Sequence, residues 1–152
     1  KKICQLVTKY NKKLIIKTHP SPDELDPSFI AKQVSPDIKV IKEGNISPLI
    51  QSCEILIIND LTSPLMEAWL MKKPVMSLRV TENGWGIAKA FKNNSCLVTD
   101  LEKLDDDLKS VLNNERVRNQ LIIDGTKSAN EYLSYRNSGS KELIKFLEKL
   151  VS

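Results

Sequence analysis

Five short apolar runs punctuate the first two thirds of the chain: Leu14-Ile15-Ile16, Ile38-Lys39-Val40-Ile41, Ile55-Leu56-Ile57-Ile58, Val75-Met76-Ser77-Leu78 and Cys96-Leu97-Val98. They are rich in β-branched residues and bounded by Pro, Asn, Ser or Gly, as strands buried on both faces are. Between them, Asp26-Pro27, Ser47-Pro48 and Ser63-Pro64 each set a small polar residue before a proline. That pairing predicts a helix with a side-chain cap and proline at its first position. Strand, cap and helix recurring in this order predict an α/β fold with a doubly wound, mostly parallel sheet.

After Thr99 the pattern changes to helical spacing. Residues 101–113, 115 to about 135 and 141–151 read as helices, with Leu104, Leu108, Val111 and Leu112 on one stripe and a loop at Asn137-Ser138-Gly139. At the other end, Ile3, Leu6, Val7 and Tyr10 fall on one helical face, which favours a helix over an edge strand with a turn after Tyr10. A helix there places a strand and its loop upstream, so the chain reads as a fragment of a longer protein. Residues 1–152 are expected to form one domain, with 101–152 as its helical C-terminal part.

Composition narrows the picture only a little. A hydrophobic content of 41% in 152 residues supports a real core. No apolar run is long enough to cross a bilayer, and Lys1-Lys2-Ile3-Cys4 lacks the form of a signal peptide. The expected setting is cytoplasmic. Cys4, Cys53 and Cys96 are widely spaced in apolar surroundings, which fits free buried thiols better than disulfides or a zinc site; no metal is expected. The net charge of +4 comes from dispersed lysines with aromatics at 5%, a poor match to nucleic acid, which calls for clustered basic and stacking residues. The same charge is compatible with anionic ligands, or with peripheral membrane contact through the full-length protein.

The chemistry-bearing residues gather after the strands. His19, the single histidine, follows the first run within Lys17-Thr18-His19-Pro20, at the carboxyl end of a strand, where open sheets bind ligands. An imidazole there can donate to a phosphate or exchange a proton; a loop histidine that only packs is the plainer reading. Thr62, Ser63 and Pro64 follow the third run as a strand-to-helix turn, with amides and hydroxyls suited to a diphosphate. Glu67 in the first turn of that helix is placed to accept from the paired hydroxyls of a ribose, although a first-turn glutamate also complements the helix dipole. Asn59 and Asp60 fit turn formation. Arg79 after the fourth run can meet a phosphate or carboxylate, or make a surface ion pair. Trp85, flanked by Gly84 and Gly86, reads as a covering loop or a contact for a partner domain.

Taken in order, these pieces resemble the C-terminal half of GT-B-type nucleotide-sugar enzymes: the strand-His-Pro segment 14–20, the strand ending at Asn59, the Thr62-Ser63 turn, and Glu67-Ala68 with Lys73-Pro74-Val75 following. The likeness is to surface-carbohydrate and capsule biosynthesis glycosyltransferases and to non-hydrolysing UDP-N-acetylglucosamine 2-epimerases, and it covers nearly the whole chain. It implies a Rossmann-like sheet whose first strand lies ahead of Lys1. It also implies a diphosphate held at Thr62 and Ser63, a ribose on Glu67, and His19 near the sugar or phosphate. The donor would be a nucleotide-diphosphate sugar with no resident cofactor, and the catalytic groups and acceptor site would belong to an N-terminal partner domain. An epimerase is expected to carry Ser-Gly-Gly where Leu61-Thr62-Ser63 stands and Arg-Pro-Glu where Asn83-Gly84-Trp85 stands. The departure favours the transferase-like group. The alternatives are the epimerase itself, acting by proton abstraction, and a non-catalytic α/β module that kept only the fold.

Overall fold

The structure, a computed structural model, describes residues 1–21, 25–59, 62–80, 95–133 and 138–151. Asp60, Leu61, the segment 81–86 with Trp85, Tyr135 and Asn137 fall outside the described residues. The first element is a helix, α1 (Lys2–Lys9), as its apolar stripe predicts, burying Cys4, Leu6 and Val7. Asn11 closes it with φ +52°, a conformation asparagine tolerates better than most residues. The Lys12 amide then donates to the Val7 carbonyl at 3.0 Å, and the chain turns back into the sheet.

Next come β1 (Ile15–Lys17), α2 (Ser28–Val34), β2 (Lys39–Ile41), α3 (Ser47–Ser52), β3 (Leu56–Asn59), α4 (Pro64–Leu70), β4 (Val75–Leu78) and β5 (Leu97–Thr99). Three helices follow: α5 (Leu104–Asn113), α6 (Glu115–Tyr132) and α7 (Gly139–Val151). Among the described residues all strand pairings are parallel, so the α/β class and the five apolar runs are borne out. The sheet is not continuous: β1 pairs with β2, while β3, β4 and β5 form a separate ladder in that order.

In the larger ladder the pleat sorts side chains to two helical layers. Leu56, Ile58, Val75 and Val98 pack with Ile50 of α3, Leu65, Ala68 and Trp69 of α4, and Ala129 of α6. Ile57, Met76, Leu78 and Leu97 pack with Leu6 and Val7 of α1 and with Leu104, Leu108 and Val111 of α5. β4, flanked on both sides, is buried at all four positions. The smaller ladder sets Ile16 and Val40 against Cys4, Ala31 and Val34.

Four helix starts differ from the sequence reading. α5 begins at Leu104 rather than at residue 101, because Asp100 Oδ1 accepts from the amides of Glu102 and Lys103, each at 2.9 Å, and holds 101–103 as a turn. α7 starts at Gly139, inside the expected loop. Ser47 and Ser63 make no side-chain cap: Ser63 is already helical at φ −55°, ψ −33°, whereas a capping side chain needs extended backbone. Asp26 does act at its helix start, with Oδ1 accepting from the Ser28 amide at 2.9 Å. The three cysteines are free thiols; Cys4 and Cys96 are buried and Cys53 half-buried, and burial pushes the Cys96 thiol up to about 12.

One close approach fixes α4 against α6. A Cβ on Gly125 would lie 2.5 Å from the Trp69 ring, and that ring is held by its Nε1–H donating to the Ser95 carbonyl at 3.0 Å. Any larger residue must displace it. Gly125→Val is expected to cost about 1–3 kcal/mol of stability through overpacking, despite valine's better helix propensity. Thermal unfolding checks this, and an unchanged or raised midpoint contradicts it.

A polar clamp ties α1 to α5. Lys9 Nζ meets Asp105 Oδ2 at 2.7 Å and the Tyr10 hydroxyl donates to Asp105 Oδ1. Those donors, Lys9 first, hold the Asp105 carboxyl below its ordinary value. Its contribution is therefore complete above the unfolded carboxylate range, near pH 4, and fades as pH falls through the lower folded value. Protection of the α1 amides relative to their intrinsic exchange rates should fall on acidification in the native chain and be already low, with a flatter acid profile, in Asp105→Asn. Identical profiles for the two proteins contradict the clamp.

Candidate functional site

Two side-chain bonds on opposite rims show that the two ladders run the same way. Lys12 Nζ, ahead of β1, meets Glu54 Oε2, ahead of β3, at 2.8 Å. Ser47, after β2, donates from Oγ to Glu67 Oε2, after β3, at 2.7 Å. The first bond joins amino ends and the second joins segments that follow carboxyl ends. His19, Asn59, Thr62, Ser63, Glu67 and Arg79 therefore all follow strand carboxyl ends on one rim, the ligand-binding rim of an open α/β sheet.

The core sets the rotation of α4. Leu65, Ala68 and Trp69, at i, i+3 and i+4, are buried and hold one face of the helix on the sheet. Glu67 lies off that stripe and turns toward the start of α3, where the Ser47 hydroxyl takes one carboxylate oxygen. Among the described residues its Oε1 receives no hydrogen bond, so accepting capacity remains. Thr62 and Ser63 are exposed and Pro64 is half-buried at the first helical positions. The carbonyls of Thr62 and Ser63 accept from the amides of Leu65 and Met66, each at 3.1 Å, and their hydroxyls make no hydrogen bond among the described residues.

His19 is exposed, and its Nδ1 accepts from the Ser21 amide at 3.1 Å. That bond assigns the proton of the neutral ring to Nε2. No hydrogen bond joins His19 to Thr62, Ser63 or Glu67 among the described residues. Arg79 continues the β4–β5 ladder through its amide, which donates to the Thr99 carbonyl at 2.8 Å. The structure thus couples Glu67 to α3 and sets His19, Thr62, Ser63 and Arg79 after strand carboxyl ends along the same rim. A shallow cavity of about 500 Å³ lies elsewhere, lined by Asp106, Lys109, Asn113 and Arg116.

Sequence reasoning read Ser47, like Ser63, as a helix cap and so missed its contact with Glu67. Asn45 performs the local work instead, with Oδ1 accepting from the Ser47 amide at 2.9 Å, and Gly44 at φ +90° admits the bend before it. The Ser47 hydroxyl is thereby released toward Glu67. An asparagine two residues before a helix start is a recognised turn signal, and it was available in the sequence.

Neither a protein-family model nor a curated protein sequence matches the chain. Solved structures do match its fold. The UDP-GlcNAc 2-epimerase of Neisseria meningitidis, solved with UDP-GlcNAc bound, superposes over 97% of this chain at a TM-score of 0.64 and 17% identity. A proposed UDP-N-acetylglucosamine 2-epimerase of Listeria monocytogenes covers 93% at 0.54 and 18% identity, and the GtfA/B complex covers 97% at 0.58 and 11%. The chain spans 39%, 40% and 33% of those chains. Together the parallel ladders, the helical layers and these superpositions show that the chain has the Rossmann-like GT-B fold anticipated from its motifs, similar to part of the UDP-GlcNAc 2-epimerases.

Proposed function

We propose that this chain is the nucleotide-diphosphate-sugar-binding half of a GT-B-type glycosyltransferase of surface polysaccharide biosynthesis, working in the cytoplasm with a second domain of the same protein. The observation that carries the reading is the Ser47–Glu67 bond, beside the exposed Thr62 and Ser63 hydroxyls on the carboxyl rim. A carboxylate that accepts from one hydroxyl has lone pairs left to accept from others, which suits it to the adjacent hydroxyls of a ribose. Thr62 and Ser63 supply neutral donors for the diphosphate, and the Nε2–H of His19 and the Arg79 guanidinium are further donors for anionic oxygens. Preorganised donors of this kind lose little on reorganisation when charge arrives. Transfer needs the donor sugar held against an acceptor, so the isolated chain binds but does not turn over.

A second reading, an epimerase half, is favoured by the two epimerase neighbours in fold, while the Thr62-Ser63 turn departs from the Ser-Gly-Gly expected there. The two differ in chemistry. An epimerase abstracts a ring proton and exchanges it with solvent, whereas a transferase leaves that proton in place.

Calorimetric titration with UDP-, GDP- and CDP-sugars tests the binding role. One of the three should bind, and Glu67→Gln and Ser47→Ala should each weaken it about tenfold, the worth of a hydrogen bond to a charged group. Flat heats for all three donors, or unchanged affinity in Glu67→Gln, contradict the proposal.

A further inference from the structure

We propose that α7 is a dimerisation helix, joining two copies of this chain by packing antiparallel against its counterpart. The inference rests on α7 alone and stands apart from the nucleotide-sugar reading.

α7 carries an apolar stripe that the described residues leave uncovered. Leu143, Ile144, Phe146, Leu147 and Leu150 fall at i, i+1, i+3, i+4 and i+7, which is one face of an α-helix. All five are 49–67% exposed, and none joins the three packed clusters of the core. A Cβ on Gly139 would meet nothing within 4 Å, so the start of the helix is equally open. A contiguous apolar stripe on the outside of a folded chain marks a contact surface.

The charges along its margins identify the occupant. With 3.6 residues per turn, Lys141 and Glu148 lie on the margin beyond Ile144, and Glu142 and Lys149 lie on the margin beyond Phe146. Each margin thus carries one lysine and one glutamate about two turns apart, and the order of signs reverses between the margins. Lys145 lies between them on the polar face, where its Nζ meets Glu142 Oε1 at 2.9 Å.

A two-fold axis across an antiparallel helix pair sets each margin against the same margin of the partner, read in reverse. Lys141 then faces the partner's Glu148, and Glu142 faces the partner's Lys149. Both pairings put the axis beside Lys145, the midpoint of Gly139–Val151, so the two helices overlap along their whole length. The same register lays Leu143 on the partner's Leu147 and Ile144 on the partner's Phe146, which closes the stripe on itself. A parallel pair would also match charges, but it aligns the two helix dipoles and crowds both folded bodies at one end of helices about 8–10 Å apart. Antiparallel packing avoids both costs. An anionic bilayer fits the stripe poorly, because Glu142 and Glu148 would meet its head groups while Lys145 points away from them.

Sedimentation of the 152-residue chain over a range of concentrations tests this. The chain should pass from monomer to dimer as concentration rises. Glu148→Lys turns two attractive pairs of the dimer into repulsive ones and should raise its dissociation constant about tenfold; adding Lys141→Glu to that variant should restore it. Mixing Ser140→Cys with Leu150→Cys chains under oxidation should give the mixed disulfide in preference to either symmetric one, because the register opposes these two positions. A monomer at every concentration, with the face left to a different polypeptide, overturns the proposal, as does binding to phosphatidylserine vesicles without dimerisation. A dimer indifferent to Glu148→Lys, a double variant no tighter than the single one, or a preference for the symmetric Leu150→Cys disulfide overturns it too.

Discussion

The architecture depends on a parallel ladder whose central strand, β4, has no surface of its own. Val75, Met76, Ser77 and Leu78 are each covered by neighbouring strands and by helices on both sides. A strand enclosed in this way has no side chains to give to a ligand, so chemistry is displaced to the loops at its ends. The same enclosure fixes the helices. α4 must lay Leu65, Ala68 and Trp69 on the sheet, which leaves Glu67 at the rim, and Trp69 in turn demands a glycine at position 125 of α6.

The polar contacts at the rims follow from that frame. Lys12 with Glu54 and Ser47 with Glu67 lie on exposed or half-buried ground, where ion pairs and hydrogen bonds contribute modestly to stability. Their value is positional. The first keeps the amino ends of the two ladders level, and the second turns a carboxylate toward the rim while leaving part of it unused. Apolar burial supplies the stability and these bonds supply the register.

Much of this was legible in the sequence. Apolar runs rich in β-branched residues gave the five strands, and the Ile3, Leu6, Val7 and Tyr10 stripe gave α1, because both signals are periodic and local. The carboxyl-rim placement of His19, Thr62, Ser63, Glu67 and Arg79 follows from element order alone. Three things were not legible. Strand adjacency is a long-range property, so the break between β1 and β3 left no mark in either run. Ser-Pro at a helix start looks alike whether serine caps or not, which hid the contact of Ser47 with Glu67. Asp100 competes with α5 for the amides of Glu102 and Lys103, and helical spacing does not report such competition.

The account stands on one claim: nucleotide-diphosphate sugars meet the rim formed by the loops after β1, β2, β3 and β4. Mapping amide chemical shifts of the labelled chain during a titration with UDP-N-acetylglucosamine tests it directly. The account predicts perturbations grouped at residues 18–21, 45–47, 62–67 and 79–80. Perturbations grouped instead around Asp106, Lys109 and Arg116, or spread without focus over the surface, would contradict it.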